Sequence, residues 1–253
     1  MTQPIALQLY SVREHMARDF EGTMRRVAAA GYGGVETARI PDDVGPARAK
    51  ALFDELGLAV CAAHAPLPLG DQTAATVDLM AALGCDRLVC GYLPPEEYAT
   101  PEDVYRACDK LNEAASNAAT HGLRLGVHNH WWEFQPVGGV RPYEVWLERL
   151  DPTIFFELDT YWAYVGGVAP VEALQALGAR VELLHVKDGP ADDPKSDMVA
   201  VSQGVMDYAA IIPAAAPAEW LIVELDRCAT DMLIAVEQSY RYLADKGLGH
   251  GRA

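Results

Sequence analysis

Several apolar runs of this chain close on residues that bind cations or move protons. The run LRLGVHNHWWE (123–133) carries His128, His130 and Glu133. FFELD ends on Asp159, VELLH on His185 with Lys187 two residues on, and LIVE on Glu224. Extended backbone alternates its faces, so His128 and His130 share one side of their strand. Carboxylates and imidazoles delivered by separate strands form a hard donor set for one divalent cation, with Mn²⁺, Mg²⁺ or Co²⁺ favoured and Zn²⁺ an alternative. An ion with open coordination positions acts as a Lewis acid on a sugar carbonyl and its neighbouring hydroxyl, and so stabilises the enediolate left when the α-proton departs. Side chains on the two faces of that plane remove and return the proton. Glu133, Glu224 and His128 are the candidates for that work. Lys187 is placed to neutralise an enolate or hold a leaving oxygen, or else to pair with Asp188 or another neighbour.

Each residue alone is weak evidence. A histidine at a strand end is usually a satisfied core or rim residue, and Asp159 before Thr160 could simply cap a turn. The conjunction carries the reading, because a polar set whose members converge is costly to bury without a purpose.

The elements that must position these residues repeat a single unit. IALQLYS, GGVET, LAVCAAH, DRLVCGY, LRLGVHNH, TIFFELD, VELLHVK and EWLIVEL read as strands. Helical stretches follow them: DFEGTMRRVAAAGY closed by Gly31, about 44–56, TAATVDLMAALG closed by Gly84, and a long helix with Thr100 as N-cap and Pro101 at its first position. Later helices are expected near 142–150, 170–177, 208–214 and 231–244. The 253 residues divide into eight units of roughly 32 residues, a usual βα size. The strands are continuous apolar runs, as in parallel sheets buried on both faces. Strict β–α alternation implies right-handed parallel crossovers. The expectation is one (β/α)8 TIM barrel over residues 1–253, without a linker or second domain.

In such barrels, function collects at the C-terminal strand ends. Those ends add Gln8, Tyr10, Glu36, His64 and Tyr92 to the set. Gln8, Tyr10, Glu36, His64, His130 and Trp162 are taken as substrate contacts, with Trp131, Trp132 and Trp162 as an apolar floor for a sugar ring. Gly204 is a candidate rim residue.

The formal net charge of −16 opposes binding to nucleic acid and anionic membranes. No GxGxxG or P-loop pattern supports a nucleotide cofactor. The five cysteines show no paired spacing, and no leader or bilayer-length apolar run is visible, so a cytoplasmic setting is expected. Assembly into a homo-oligomer is left open.

HNHWWEF, FELDTYW, LLHVKDG and WLIVELD, with LQLYSVRE near the start, resemble the xylose-isomerase-like, sugar phosphate isomerase/epimerase family over nearly the whole chain. The resemblance implies a single (β/α)8 barrel and a divalent ion held by Glu, Asp, His and Glu in chain order. Asp159, His185 and Glu224 match the last three. Many relatives carry the first ligand at the end of the fifth strand, where this chain has His128. Relatives with an HNHxxEF pattern point to Glu133, with His128 or His130 as the alternative. Ketose 3-epimerases of the superfamily also carry a histidine three residues after the metal aspartate and an arginine soon after the metal histidine. Here those places hold Trp162 and the segment DGPADD. The HNH pattern with Lys187 is closer to relatives acting on keto-sugars, including lyases of the inosose dehydratase type. The related abasic-site endonucleases need a basic groove that the net charge opposes, and a non-catalytic sugar-binding barrel is a further alternative.

Overall fold

The computed structural model describes residues 2–215 and 217–252. Its strands are β1 (Gln3–Gln8), β2 (Gly34–Thr37), β3 (Ala59–His64), β4 (Arg87–Cys90), β5 (Arg124–His128), β6 (Phe155–Asp159), β7 (Val181–Val186) and β8 (Trp220–Val223). Each pairs in parallel with the next, and β1 pairs with both β8 and β2, so the sheet closes into an eight-stranded barrel. A two-residue strand, β9 (Gly249–His250), adds to the start of β1.

The surrounding helices are α1 (Arg13–Met16), α2 (Phe20–Ala30), α3 (Pro46–Leu56), α4 (Gln72–Leu83), α5 (Pro101–Thr120), α6 (Pro142–Arg149), α7 (Thr160–Val165), α8 (Pro170–Leu177), α9 (Tyr208–Ala214) and α10 (Met232–Asp245). Local chemistry sets their ends. Thr100 Oγ1 accepts the Asp103 N–H, Asp19 accepts that of Gly22, and Asp231 accepts that of Ile234, each satisfying an orphan donor of a first turn. Gly84 closes α4 at φ 59°, a conformation that side chains with a Cβ resist. α3 begins at Pro46 and not near residue 44, because Val44 and Gly45 form a turn on the Pro41 carbonyl. α1, α7 and β9 are elements that sequence periodicity does not reveal; all are short. None of the described helices is long and apolar enough to cross a membrane.

Two apolar regions hold the barrel. The larger lies between strands and helices. The smaller, formed by Ala6, Cys61, Ala62, Val89, Phe155, Leu183 and Ile222, includes the residues that plug the barrel interior. Gly126 makes room for that plug: a Cβ there would fall 2.2 Å from the Phe155 ring. Above the plug, inward-facing positions turn polar, with Gln8, Glu36, His128, Glu157, Asp159, His185, Lys187 and Glu224 all buried.

Gly126→Ala should therefore destabilise the protein by about 1–3 kcal/mol through overpacking against Phe155. Thermal unfolding checks this, and an unchanged midpoint would show that the ring has space to retreat.

Candidate metal centre

Strand register brings the polar residues together in pairs. Gln8 lies opposite Glu36, His128 opposite Glu157, and Asp159 opposite His185. β8 then supplies Glu224 from the other side of β7.

The upper group consists of His128, Asp159, His185 and Glu224. One ligand atom from each lies within 4.8 Å of the others. His185 Nδ1 stands 2.9 Å from Glu224 Oε2, and His128 Nε2 stands 4.0 Å from Asp159 Oδ2. Asp159 Oδ1 accepts the Trp162 N–H at 2.8 Å and so starts α7. Asp159 Oδ2 accepts no hydrogen bond, although Lys187 Nζ is 2.9 Å away. A buried carboxylate oxygen whose neighbouring ammonium makes no aligned hydrogen bond to it is unusual. Two carboxylates and two imidazoles around that oxygen fit the divalent ion that the sequence resemblance implies.

The electrostatics of three of the four residues suit a cation, while His185 would have to release a proton to bind one. Burial pushes the Asp159 carboxyl up to about 6, against the pull of Lys187 and His185. Burial pushes His128 down to about 3, which leaves the neutral imidazole that a metal needs. Burial alone would raise Glu224, but Lys187 and His185 hold it well below the usual carboxylate range. Burial would lower His185, yet Glu157, Glu36 and Glu224 hold it well above the ordinary imidazole value.

A second group lies beneath. Glu157 Oε2 is approached by His64 Nε2 at 2.7 Å, His185 Nε2 at 3.0 Å and His128 Nδ1 at 3.1 Å. Glu36 Oε2 meets His185 Nε2 at 2.7 Å and accepts from Gln8 Nε2 at 2.7 Å. Burial and the neighbouring Glu157 push Glu36 up to about 8, while His185 and His64 overcome burial and hold Glu157 well below the usual range. Glu157 is thus the ionised member of the pair.

Lys187 is a buried ammonium among three carboxylates: Glu224 Oε2 at 2.7 Å, Asp159 Oδ2 at 2.9 Å and Asp226 Oδ2 at 3.0 Å. It also sits 5.3 Å from the centre of the Trp162 ring. The expected pairing with Asp188 does not form. Asp188 instead accepts backbone N–H groups from Gly189, Ser202, Gly204 and Met206 and organises the loop after β7. Gly204 belongs to that loop's packing, not to the rim, since a Cβ there would meet Asp188 at 2.2 Å.

A cavity of about 640 Å³ opens above the upper group. Tyr10, His64, Tyr92, His128, His130, Glu224 and Asp226 are among its lining residues. His130 stacks on Trp132 at 4.3 Å, and the exposed Tyr92 ring stands edge-on to both.

Glu133 does not join the upper group. The chain leaves β5 at His128 and turns through the short helical segment Trp132–Phe134. There the Glu133 carboxylate accepts the His130 N–H at 2.8 Å, fully buried, and is not among the residues lining the cavity. His128 occupies the fourth place, and Glu133 is not placed to flank a substrate opposite Glu224. Gln8 and Glu36 are displaced in the same sense. Both are fully buried and bonded to each other one layer below the cavity, so they touch side chains in place of substrate. Trp162 is covered as well, packed beside Trp131 at 5.0 Å.

Three residues escaped the sequence reading. Glu157 lies two residues before Asp159 on the same face of FFELD, and Asp226 lies two after Glu224 in VELD. Period-two counting from the chosen ligands would have found both. Asn129 gave no such signal: its side chain pins the end of β6 by accepting from Asp159 N at 2.8 Å and donating to Asp159 O at 3.1 Å.

With this geometry in hand, known proteins place the chain. Residues 24–244 match the family model described as xylose isomerase-like TIM barrel, and the chain belongs to that family. No curated protein sequence matches it. A sugar phosphate isomerase/epimerase from Parabacteroides distasonis superposes with a TM-score of 0.80 at 25% identity, covering 96% of this chain and 94% of the other. A probable 3-DHS dehydratase from Bacillus anthracis superposes at 0.73 with 13% identity, covering 96% and 99%. A D-allulose 3-epimerase from Methylomonas sp. superposes at 0.67 with 16% identity, covering 97% and 98%.

The electrostatics give a pH test on the metal-free protein. Burial opposes the charge on His64, but Glu36 and Glu157 raise it from 6.5 to about 9. A folded-state value above the unfolded one gives stability that is fully present below pH 6.5 and is lost as pH rises through about 9. The stability difference between the wild type and His64→Gln, read from urea unfolding, should shrink as pH rises across that window. A difference that stays constant with pH would show that His64 is not charged in the fold.

Proposed function

We propose that this chain is a divalent-metal-dependent isomerase or epimerase of a sugar or keto-sugar. The observation that carries the reading is the convergence of His128, Asp159, His185 and Glu224 within 4.8 Å at the base of an open cavity. Family membership and the likeness to sugar isomerases and epimerases support the substrate class. A divalent ion at this group supplies Lewis-acid stabilisation of negative charge on a carbonyl oxygen. Those four residues would hold it.

The remaining work falls to the chain's own groups. Glu224 lines the cavity and is held ionised, so it can accept a proton from a bound hydroxyl or carbon acid. His130, which burial holds neutral, faces the same cavity and can accept or return a proton on the other side. The Lys187 ammonium beside Asp159 and Glu224 favours negative charge developing near them. The stacked pair of His130 and Trp132, with Tyr92 edge-on, offers an apolar wall to a sugar ring. No nucleic acid or membrane partner is proposed for a chain of net charge −16.

Two observations favour a second reading, a lyase or dehydratase of the inosose dehydratase type. A permanently charged lysine points at the ligand group, and Trp162 stands where ketose 3-epimerases resembling this chain place a histidine. An ammonium there can stabilise the negative charge of a departing oxygen without giving up its own proton.

Elemental analysis tests the site. Asp159→Asn and His185→Ala should each strip the bound metal and leave the barrel folded by circular dichroism; unchanged metal content in both would remove the ligand assignment. Mass spectrometry on keto-sugars and inososes separates the reactions, since isomerisation conserves mass and dehydration loses water. No turnover of any of them by the metal-loaded protein would leave a binding barrel.

A further inference from the structure

Two groups of metal-ligand type overlap in this barrel. His64, His128, Glu157 and His185 also bring one ligand atom each within 4.8 Å, and this lower group shares His128 and His185 with the upper one. By composition, either could hold a cation.

The shared rings decide between one cation and two. His185 turns Nδ1 toward Glu224 above and Nε2 toward Glu36 and Glu157 below. His128 turns Nε2 toward Asp159 above and Nδ1 toward Glu157 below. A neutral imidazole carries one N–H and one free lone pair. Filling both groups would therefore require both rings to lose their last N–H and become bridging anions. Filling only the upper group leaves each ring an N–H on its lower side: that of His185 meets Glu36 Oε2 at 2.7 Å, and that of His128 stands 3.1 Å from Glu157 Oε2 without an aligned hydrogen bond, one that a small turn of either side chain would make. That is the arrangement in which an outer carboxylate fixes the tautomer and orientation of a metal-binding histidine.

Backbone irregularity marks the same two carboxylates. The register between β2 and β3 shifts between Val35 and Glu36, and that between β6 and β7 shifts between Phe156 and Glu157. In each case the extra residue lies in the partner strand, Cys61 in β3 and Glu182 in β7, so the irregularity sits across from the carboxylate. Each carboxylate is held in turn, Glu36 by Gln8 Nε2 at 2.7 Å and Glu157 by His64 Nε2 at 2.7 Å.

We infer that Glu36 and Glu157 are positioning residues that take the lower N–H of His185 and His128, so that His185 Nδ1 and His128 Nε2 are the metal-binding atoms and the barrel holds one cation, not two. This rests on the upper group being the metal site. His64 acts in it by orienting Glu157, not as a ligand.

The test uses the full chain, stripped of metal and titrated with Zn²⁺ by calorimetry, together with ¹⁵N-histidine NMR of the zinc-loaded wild type. One zinc per chain is expected, with metal-shifted resonances at His185 Nδ1 and His128 Nε2 and a proton on the opposite nitrogen of each ring. Glu157→Gln and Glu36→Gln should keep that stoichiometry and weaken zinc binding by about 10–100-fold. Two zinc ions per chain, or metal-shifted signals at His185 Nε2 or His128 Nδ1, would overturn the inference. So would unchanged affinity in both variants. The NMR assignment needs no variant, so it decides even if Glu157→Gln fails to fold. A wild type that binds no cation would instead remove the metal reading beneath it, and the two failures are thus distinct.

Discussion

Burying charge away from water is the constraint on which this barrel depends. Glu36, Glu157, Asp159, Glu224, His128, His185 and Lys187 form one continuous polar region, two side chains deep, with almost no solvent contact. An unpaired ion in such a place costs several kcal/mol even after relaxation. Every member is therefore held by another: Lys187 by three carboxylates, Glu157 by three imidazoles, Glu36 by a glutamine and a histidine. Removing one partner leaves another less well compensated, at a cost the rest of the barrel has to absorb.

The polar region needs a floor and a roof. Below it, Ala6, Phe155, Leu183 and Ile222 close the barrel with apolar volume, and Gly126 yields the space for one ring. Above it lie the cavity and the aromatic rim. Between them the strands run parallel and in register, so side chains from neighbouring strands meet at the same height. Asp159 shows how tightly structure and chemistry share atoms: one oxygen caps α7, and the other faces the ligand group. A change there touches both the fold and the site.

The functional proposal follows from this economy of charge. In the proposed function, a divalent ion would sit among Asp159 and Glu224 where a substrate could reach it. Lys187 biases the same spot toward negative charge on the substrate. The lower carboxylates do their work at a distance, by leaving the two histidines one orientation each.

The residues alone determined the architecture: eight apolar runs, each closed by a helix with identifiable caps, admit few folds other than a closed parallel barrel, because strands buried on both faces must alternate with crossover helices. They also singled out Asp159, His185 and Glu224, polar residues at the ends of apolar runs that the fold brings together. The place of Glu133 was not legible, because the turn after β5 folds its carboxylate back onto the His130 N–H, a local contact that no sequence pattern encodes. Nor was the division of the polar residues into two heights, which reduced Gln8 and Glu36 from substrate contacts to supports. Strand period tells which face a side chain takes, but the stagger of the strands, with the one-residue slips of β3 and β7 across from Glu36 and Glu157, sets how deep it lies. Depth, and with it exposure, partner and protonation, belongs to the closed barrel alone.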